Sequence, residues 1–172
     1  MAMSGCILTV NAQQSFSYKN PLLPTELRVN DLLGRMTLEE KIAQIRHLHS
    51  WDVFDGQILN QEKLDKMCGG IGYGFFEGFP LTAASCRKTF REIQTYMVEK
   101  TRLGIPGFPV AESLHGVVHE GTTIYPQNIA MGSTFNPELA YEKTKHIAGE
   151  LNTMGVKQVL APCICLLYTS PS

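Results

Sequence analysis

A chain of 172 residues, 44% of them hydrophobic, has the length of one domain and enough apolar material for a sizeable core. Fifteen basic and sixteen acidic residues in mixed order leave a net charge of −1, which excludes an electrostatic case for nucleic-acid binding. No apolar run approaches the roughly 18–20 residues that a membrane span requires.

The five cysteines, Cys6, Cys68, Cys86, Cys163 and Cys165, are odd in number and lack zinc-ribbon spacing, so they read as core or incidental thiols. Residues 1–17 form an N-terminal arm. Within it, the apolar patch Cys6–Val10 followed by Val10-Asn11-Ala12 has the pattern of the tail of a secretory signal, which predicts export to the periplasm or the extracellular space.

In chain order, a Pro-bounded arm at 18–24 leads into a predicted helix over 26–36, with Val29, Leu32, Leu33 and Met36 on one side. Thr37-Leu38-Glu39-Glu40 has the pattern of a capping box and opens a second helix, with Leu38, Ile42, Ile45 and Leu48 at helical spacing. His47 and His49 then fall near the end of that helix, where an imidazole complements the dipole. Residues 50–68 read as irregular or weakly helical. The run Gly69–Phe75 interleaves glycines with Ile71, Tyr73 and Phe75 as a strand that permits close backbone approach. It lacks the strand–turn–helix context of a phosphate loop, so no nucleotide cofactor is assigned.

A long helix is expected over 82–100 and another over 137–154, the latter with Asn136 as its cap, Pro137 at its first position and Gly155 as its stop. Strands are expected at 108–111 and 156–163. Alternating helices and strands predict parallel βα units. About three such units do not close an eight-stranded barrel, which takes about 250 residues, so the chain reads as the leading part of a larger α/β protein.

Residues 104–137 carry the functional signal. Pro106 and Pro109 flank Gly107 and set an extended entry. Directly after the strand at 108–111 come Glu112, His115 and Gly116, at the C-terminal end of a parallel strand where ligands bind. The H-x-x-x-H spacing of His115 and His119 invites a metal, but Gly116, Val117 and Val118 between them argue against the helix such a site needs, and no metal is assigned.

The strings AESLHGVV and GTTIYPQNIAMGSTFNPEL, together with RVNDLLGRMTLEEKIAQ, GGIGYG, KTRLGIP and GVKQVLAP, occur in order over residues 18–164. They resemble the N-terminal domain of glycoside hydrolase family 3, whose members are mainly β-glucosidases, β-xylosidases and N-acetylglucosaminidases. The resemblance implies the leading part of a (β/α)8 TIM-like barrel and a role in carbohydrate metabolism. It implies a retaining β-glycosidase that hydrolyses O-glycosyl bonds of β-glucosides or β-xylosides through two carboxyl groups about 5–5.5 Å apart. It places the nucleophilic Asp on a later strand and the acid/base further on, so the chain as it stands is expected to be inactive.

The four aspartates, Asp31, Asp52, Asp55 and Asp65, precede the sugar-binding stretch and are expected away from strand ends. Glu112 is implied as acceptor of sugar hydroxyls, and His115 as a residue packed beneath the sugar that hydrogen-bonds the loop. Tyr125, Pro126, Gln127 and Asn128 are expected to shape the floor. The family pattern stops near Ile164, and residues 165–172 read as a foreign tail. A non-catalytic sugar-binding domain using the same loop is the alternative.

Overall fold

The structure, a computed structural model, describes residues 16–78 and 82–162. The signal-like stretch, Cys6, Cys163, Cys165 and the tail lie outside the described residues. The chain divides into two compact units, Met1–Thr37 and Leu38–Ser172.

The first unit contains a 3-10 turn, Ser17–Lys19, and helix α1, Thr25–Arg35. Asp31 organises it. Its Oδ2 accepts the Tyr18 N–H at 3.0 Å and its Oδ1 accepts from Arg35 Nε at 2.9 Å, one helical turn away. The hydrogen bond from Arg35 holds the Asp31 carboxyl below its ordinary value. No side chain of α1 is buried, and Val29 and Leu33, read above as an apolar side, are exposed.

The second unit runs α2 (Leu38–Gln44), β1 (His47–His49), α3 (Ser50–Val53), β2 (Phe54–Asp55), β3 (Ile58–Leu59), α4 (Gln61–Cys68), β4 (Phe75–Glu77), α5 (Ala83–Lys100), β5 (Phe108–Glu112), α6 (Asn128–Gly132), α7 (Pro137–Met154) and β6 (Gln158–Leu160). Strands β1, β4, β5 and β6 form one wholly parallel sheet in chain order, and β2 and β3 form a small antiparallel ribbon. The architecture is α/β, with a parallel sheet of the kind found in a TIM-like barrel. Among the described residues that sheet holds four strands rather than three.

The extra strand is β1, and it corrects the expected helix over 37–48. Helix α2 stops at Gln44, and His47-Leu48-His49 is extended, so neither histidine sits at the C-terminal end of that helix; His49 instead precedes α3 as its N-cap. The reason is a change of period. Leu48 is fully buried while the two histidines are partly exposed, the alternation of a strand with one covered face. The helical stripe through Ile42 and Ile45 does not form a buried face; both are exposed.

Residues 50–68 are more ordered than expected. Asn60 caps α4 by accepting the Lys63 N–H at 3.0 Å, and Gly69 in the left-handed region ends it. The glycine run therefore serves as helix stop and loop; only Phe75 of it lies in β4. Gly74 is required by contact: a Cβ there would lie 1.8 Å from the Gln44 carbonyl oxygen.

The core lies between the sheet and its helices. Leu48 and Phe76, both fully buried, pack with Leu64 of α4, Phe90, Ile93 and Met97 of α5, and Ile147 and Leu151 of α7. At about 25 cal/mol per Å2, each such fully buried side chain contributes about 1.5–3 kcal/mol. Cys68 and Cys86 belong to this core as free thiols, as their spacing predicted.

Candidate active site

The sheet has a second face. The register sets His47 beside Phe75 and His49 beside Glu77, so these side chains share the face opposite Leu48 and Phe76. Phe75 is in turn beside Phe108, which puts Val110 and Glu112, two and four residues on, on that same face. Their rings form a continuous file: His47 stacks on Phe75 at 4.9 Å and Phe75 on Phe108 at 5.9 Å between centroids.

The polar groups gather at the C-terminal ends of the strands, where His49, Glu77 and Glu112 are the last residues of β1, β4 and β5. Glu77 lies between the two histidines, with Oε2 3.2 Å from His47 Nδ1 and Oε1 3.3 Å from His49 Nδ1. The second contact is out of line for a hydrogen bond. His49 Nδ1, which is buried, is therefore without a hydrogen-bond partner among the described residues.

A cavity of about 350 Å3 opens here, lined by His49, Trp51, Glu77, Glu112, Val118 and His119 among others. Glu112, expected from the sequence to meet sugar, is exposed at this cavity. His115 does not line it. Its Nδ1 is buried without a hydrogen-bond partner, and its contribution to the loop is through the main chain, the carbonyl accepting the Tyr125 N–H at 2.8 Å.

The loop after β5 is folded back on itself and fastened to α7. Gly116 has φ +116°, and a Cβ there would lie 2.4 Å from the Thr123 carbonyl oxygen, so glycine alone permits the close approach. Thr123 donates through Oγ1 to Glu150 Oε1 at 2.7 Å. Lys143, buried, donates from Nζ to Asn128 Oδ1 at 2.9 Å and to the Pro126 carbonyl at 3.2 Å. Of the floor expected at 125–128, Tyr125 packs against the core and Asn128 opens α6, which the sequence reading missed.

Three lining residues went unrecognised in the sequence: His49, Trp51 and Glu77. A strand alternation in His-Leu-His was the available signal. No aspartate is among the residues that line the cavity. Asp31 is held by Arg35, Asp55 by Asn60 and Lys63, and Asp65 by Tyr96. Asp55 ends β2, so the expectation that no aspartate lies at a strand's C-terminal end does not hold for it; Asp52 lies on α3, and neither lines the cavity. Among the described residues no group of three His, Cys, Asp or Glu side chains is arranged to hold a metal, and no helix is long and apolar enough to cross a membrane.

Comparison with known proteins agrees with this arrangement. A putative β-xylosidase of Formosa agariphila is 30% identical over 154 residues, covering 87% of this chain and 20% of that protein. A periplasmic β-glucosidase of Salmonella typhimurium is 26% identical over 147 residues, covering 84% of this chain and 17% of its own length. A solved β-glucosidase from Erythrobacter marinus superposes with a TM-score of 0.71 at 26% identity, over 87% of this chain and 20% of that one. The chain thus spans about a fifth of the length of these relatives. Residues 37–167 match the model of the glycosyl hydrolase family 3 N-terminal domain, and the chain belongs to that family.

Proposed function

We propose that this chain is the leading part of the barrel of a retaining β-glycosidase that hydrolyses β-glucosides or β-xylosides. The observation that carries the reading is Glu112, a carboxylate at the C-terminal end of β5, exposed to the cavity at the mouth of the sheet. A carboxylate accepts hydrogen bonds from paired sugar hydroxyls, and such charge-assisted bonds are roughly twice as strong as neutral ones. His115 supports from behind by holding the loop that follows. The nucleophile and acid/base belong to later strands and a further domain, which makes the isolated chain inactive. Its substrate partner is a β-linked glycoside or oligosaccharide. Export is supported by the signal-like N-terminal stretch.

The test is Glu112→Gln in the full-length protein, assayed on aryl β-glucoside and aryl β-xyloside alongside a melting curve. Gln keeps the shape and loses the charge and one acceptor. A hydrogen bond to a charged group is worth about 1.5–3 kcal/mol, and 1.36 kcal/mol is tenfold in rate, so kcat/KM falls about ten- to a hundredfold with Tm unchanged. Unchanged kinetics remove Glu112 from the sugar site. Sugar binding without turnover in the wild type selects the non-catalytic alternative.

A further inference from the structure

Helix α7 has two flanks. Ala83 and Ala84 at the start of α5 close on one of them, beside Gly149 and Thr153. The other flank lines a cavity of about 430 Å3, whose further walls include Ser113 and Leu114 after β5 and Val159 of β6. Much of this groove is apolar, with Ile147 and Leu151 buried and Leu114 and Val159 exposed. Two polar side chains in its walls are more than nine-tenths buried and incompletely satisfied. Lys143 is 8% exposed, and its ammonium donates to two neutral oxygens, Asn128 Oδ1 and the Pro126 carbonyl. The third N–H of that ammonium has no acceptor among the described residues. Ser113 is 6% exposed, and its Oγ is buried without a hydrogen-bond partner among the described residues. Lys157 also lines the groove, and among the described residues no aspartate or glutamate does.

A buried ammonium without a counter-ion is costly, and a carboxylate within hydrogen-bond distance offsets that cost. The position of the groove points to where the carboxylate comes from. Helices α4, α5 and α7 each lie between consecutive strands of the parallel sheet, and all three pack on the face carrying Leu48 and Phe76. Right-handed crossovers put the helix that follows β6 on that same face, next to the open flank of α7. Pro162, the last described residue, lines the groove, so the chain leaves β6 from its rim. The relatives continue for several times the length of this chain. A helix entering after β6 brings its first turn beside the second turn of α7, which holds Lys143, and acidic residues are favoured at that end of a helix. We propose that the groove holding Lys143 and Ser113 receives one carboxylate, from an Asp or Glu in the first helix beyond the described residues, so that a buried ion pair seats that helix on α7. This rests on the reading of the chain as the leading part of a longer barrel.

The experiment measures the thermal stability of the full-length protein. Each Asp and Glu of the helix that follows β6 is changed to Asn or Gln, once in the wild type and once beside Lys143→Met, which keeps the aliphatic stem and removes the charge. At one of these acids the neutral variant is expected to lower Tm by at least about 2 °C in the wild type and by under about 1 °C beside Lys143→Met, the non-additivity of a direct pair. Additive effects at every acid overturn the proposal. If Lys143→Met by itself fails to fold, recovery of the fold on neutralising one acid supports the pair, and no recovery with any acid overturns it. Added phosphate that raises the Tm of the wild type and not of Lys143→Met assigns the groove to a soluble anion and overturns it too. A dimer in sedimentation that Lys143→Met splits gives the groove to a second copy, with the same consequence. Hydrolysis of the aryl glycosides is read separately. Coupling in a protein without turnover keeps the ion pair and removes the glycosidase, whereas turnover with additive variants keeps the glycosidase and removes the ion pair.

Discussion

Glu40 is the residue whose burial most constrains the fold chemically. It is 4% exposed, and its carboxylate is held by Arg102, with Nε donating to Oε1 at 2.7 Å and a second bond from the other guanidinium arm to Oε2. The pair joins α2 to the turn after α5, 62 positions on. Breaking a buried pair leaves an unpaired buried charge and costs about 3–5 kcal/mol. Because Arg102 is itself half exposed, Arg102→Ala is expected to cost about 3 kcal/mol, the low end of that range, in denaturant titration. Capping chemistry alone, which the 37–40 pattern advertised, would predict about 1 kcal/mol at most from Glu40 and nothing from Arg102.

At the scale of elements, α4 and α5 each carry a buried thiol. Burial pushes the Cys68 thiol from an ordinary 9.0 up to about 12 and Cys86 to about 11, and it raises the Tyr96 hydroxyl as well. All three are neutral in the fold at neutral pH. Their contribution to stability is complete below pH 9, because both folded and unfolded chains then carry the protons. It is lost as pH rises from 9 toward 12, where the unfolded chain releases protons that the folded one retains. The expected result is a Tm flat up to about pH 9 that falls above it, and a flat profile to pH 11 contradicts the burial. Peptide mapping after alkylation at pH 8 should find Cys68 and Cys86 unmodified in the folded chain. Helix α7 offers a simpler check. Asn136 Oδ1 accepts the Leu139 N–H at 2.9 Å, so Asn136→Ala is expected to cost about 1 kcal/mol.

For the whole molecule, the determining feature is a parallel sheet with two edges. Among the described residues strands β1 and β6 bound it, and the face carrying Phe108 and Leu160 leaves both of those side chains exposed. Unpaired backbone edges and exposed apolar groups recruit other chains. The 172-residue chain expressed by itself is therefore expected to self-associate, and a sharp monomer boundary in sedimentation would contradict this. On the reading proposed above, which assigns the nucleophile and the acid/base to later strands and a further domain, it is also expected to show no turnover of aryl β-glucoside or β-xyloside.

Local chemistry was enough for much of this. Asn136, Pro137 and Gly155 bound α7 at the residues observed, and Thr82 opens α5, because caps, first-turn proline and left-handed glycine act within a few residues. The Pro-flanked strand over 108–111 was legible for the same reason, and the observed β5 runs one residue further, to Glu112. Long-range contact decided the rest. His47-Leu48-His49 is a strand because Leu48 finds Phe76 and the helices above it, and three residues are too few for their own period to overrule the helix before them. The cavity likewise joins His49, Trp51, Glu77 and Glu112 from segments up to 63 positions apart, a meeting that only the parallel register of β1, β4 and β5 brings about.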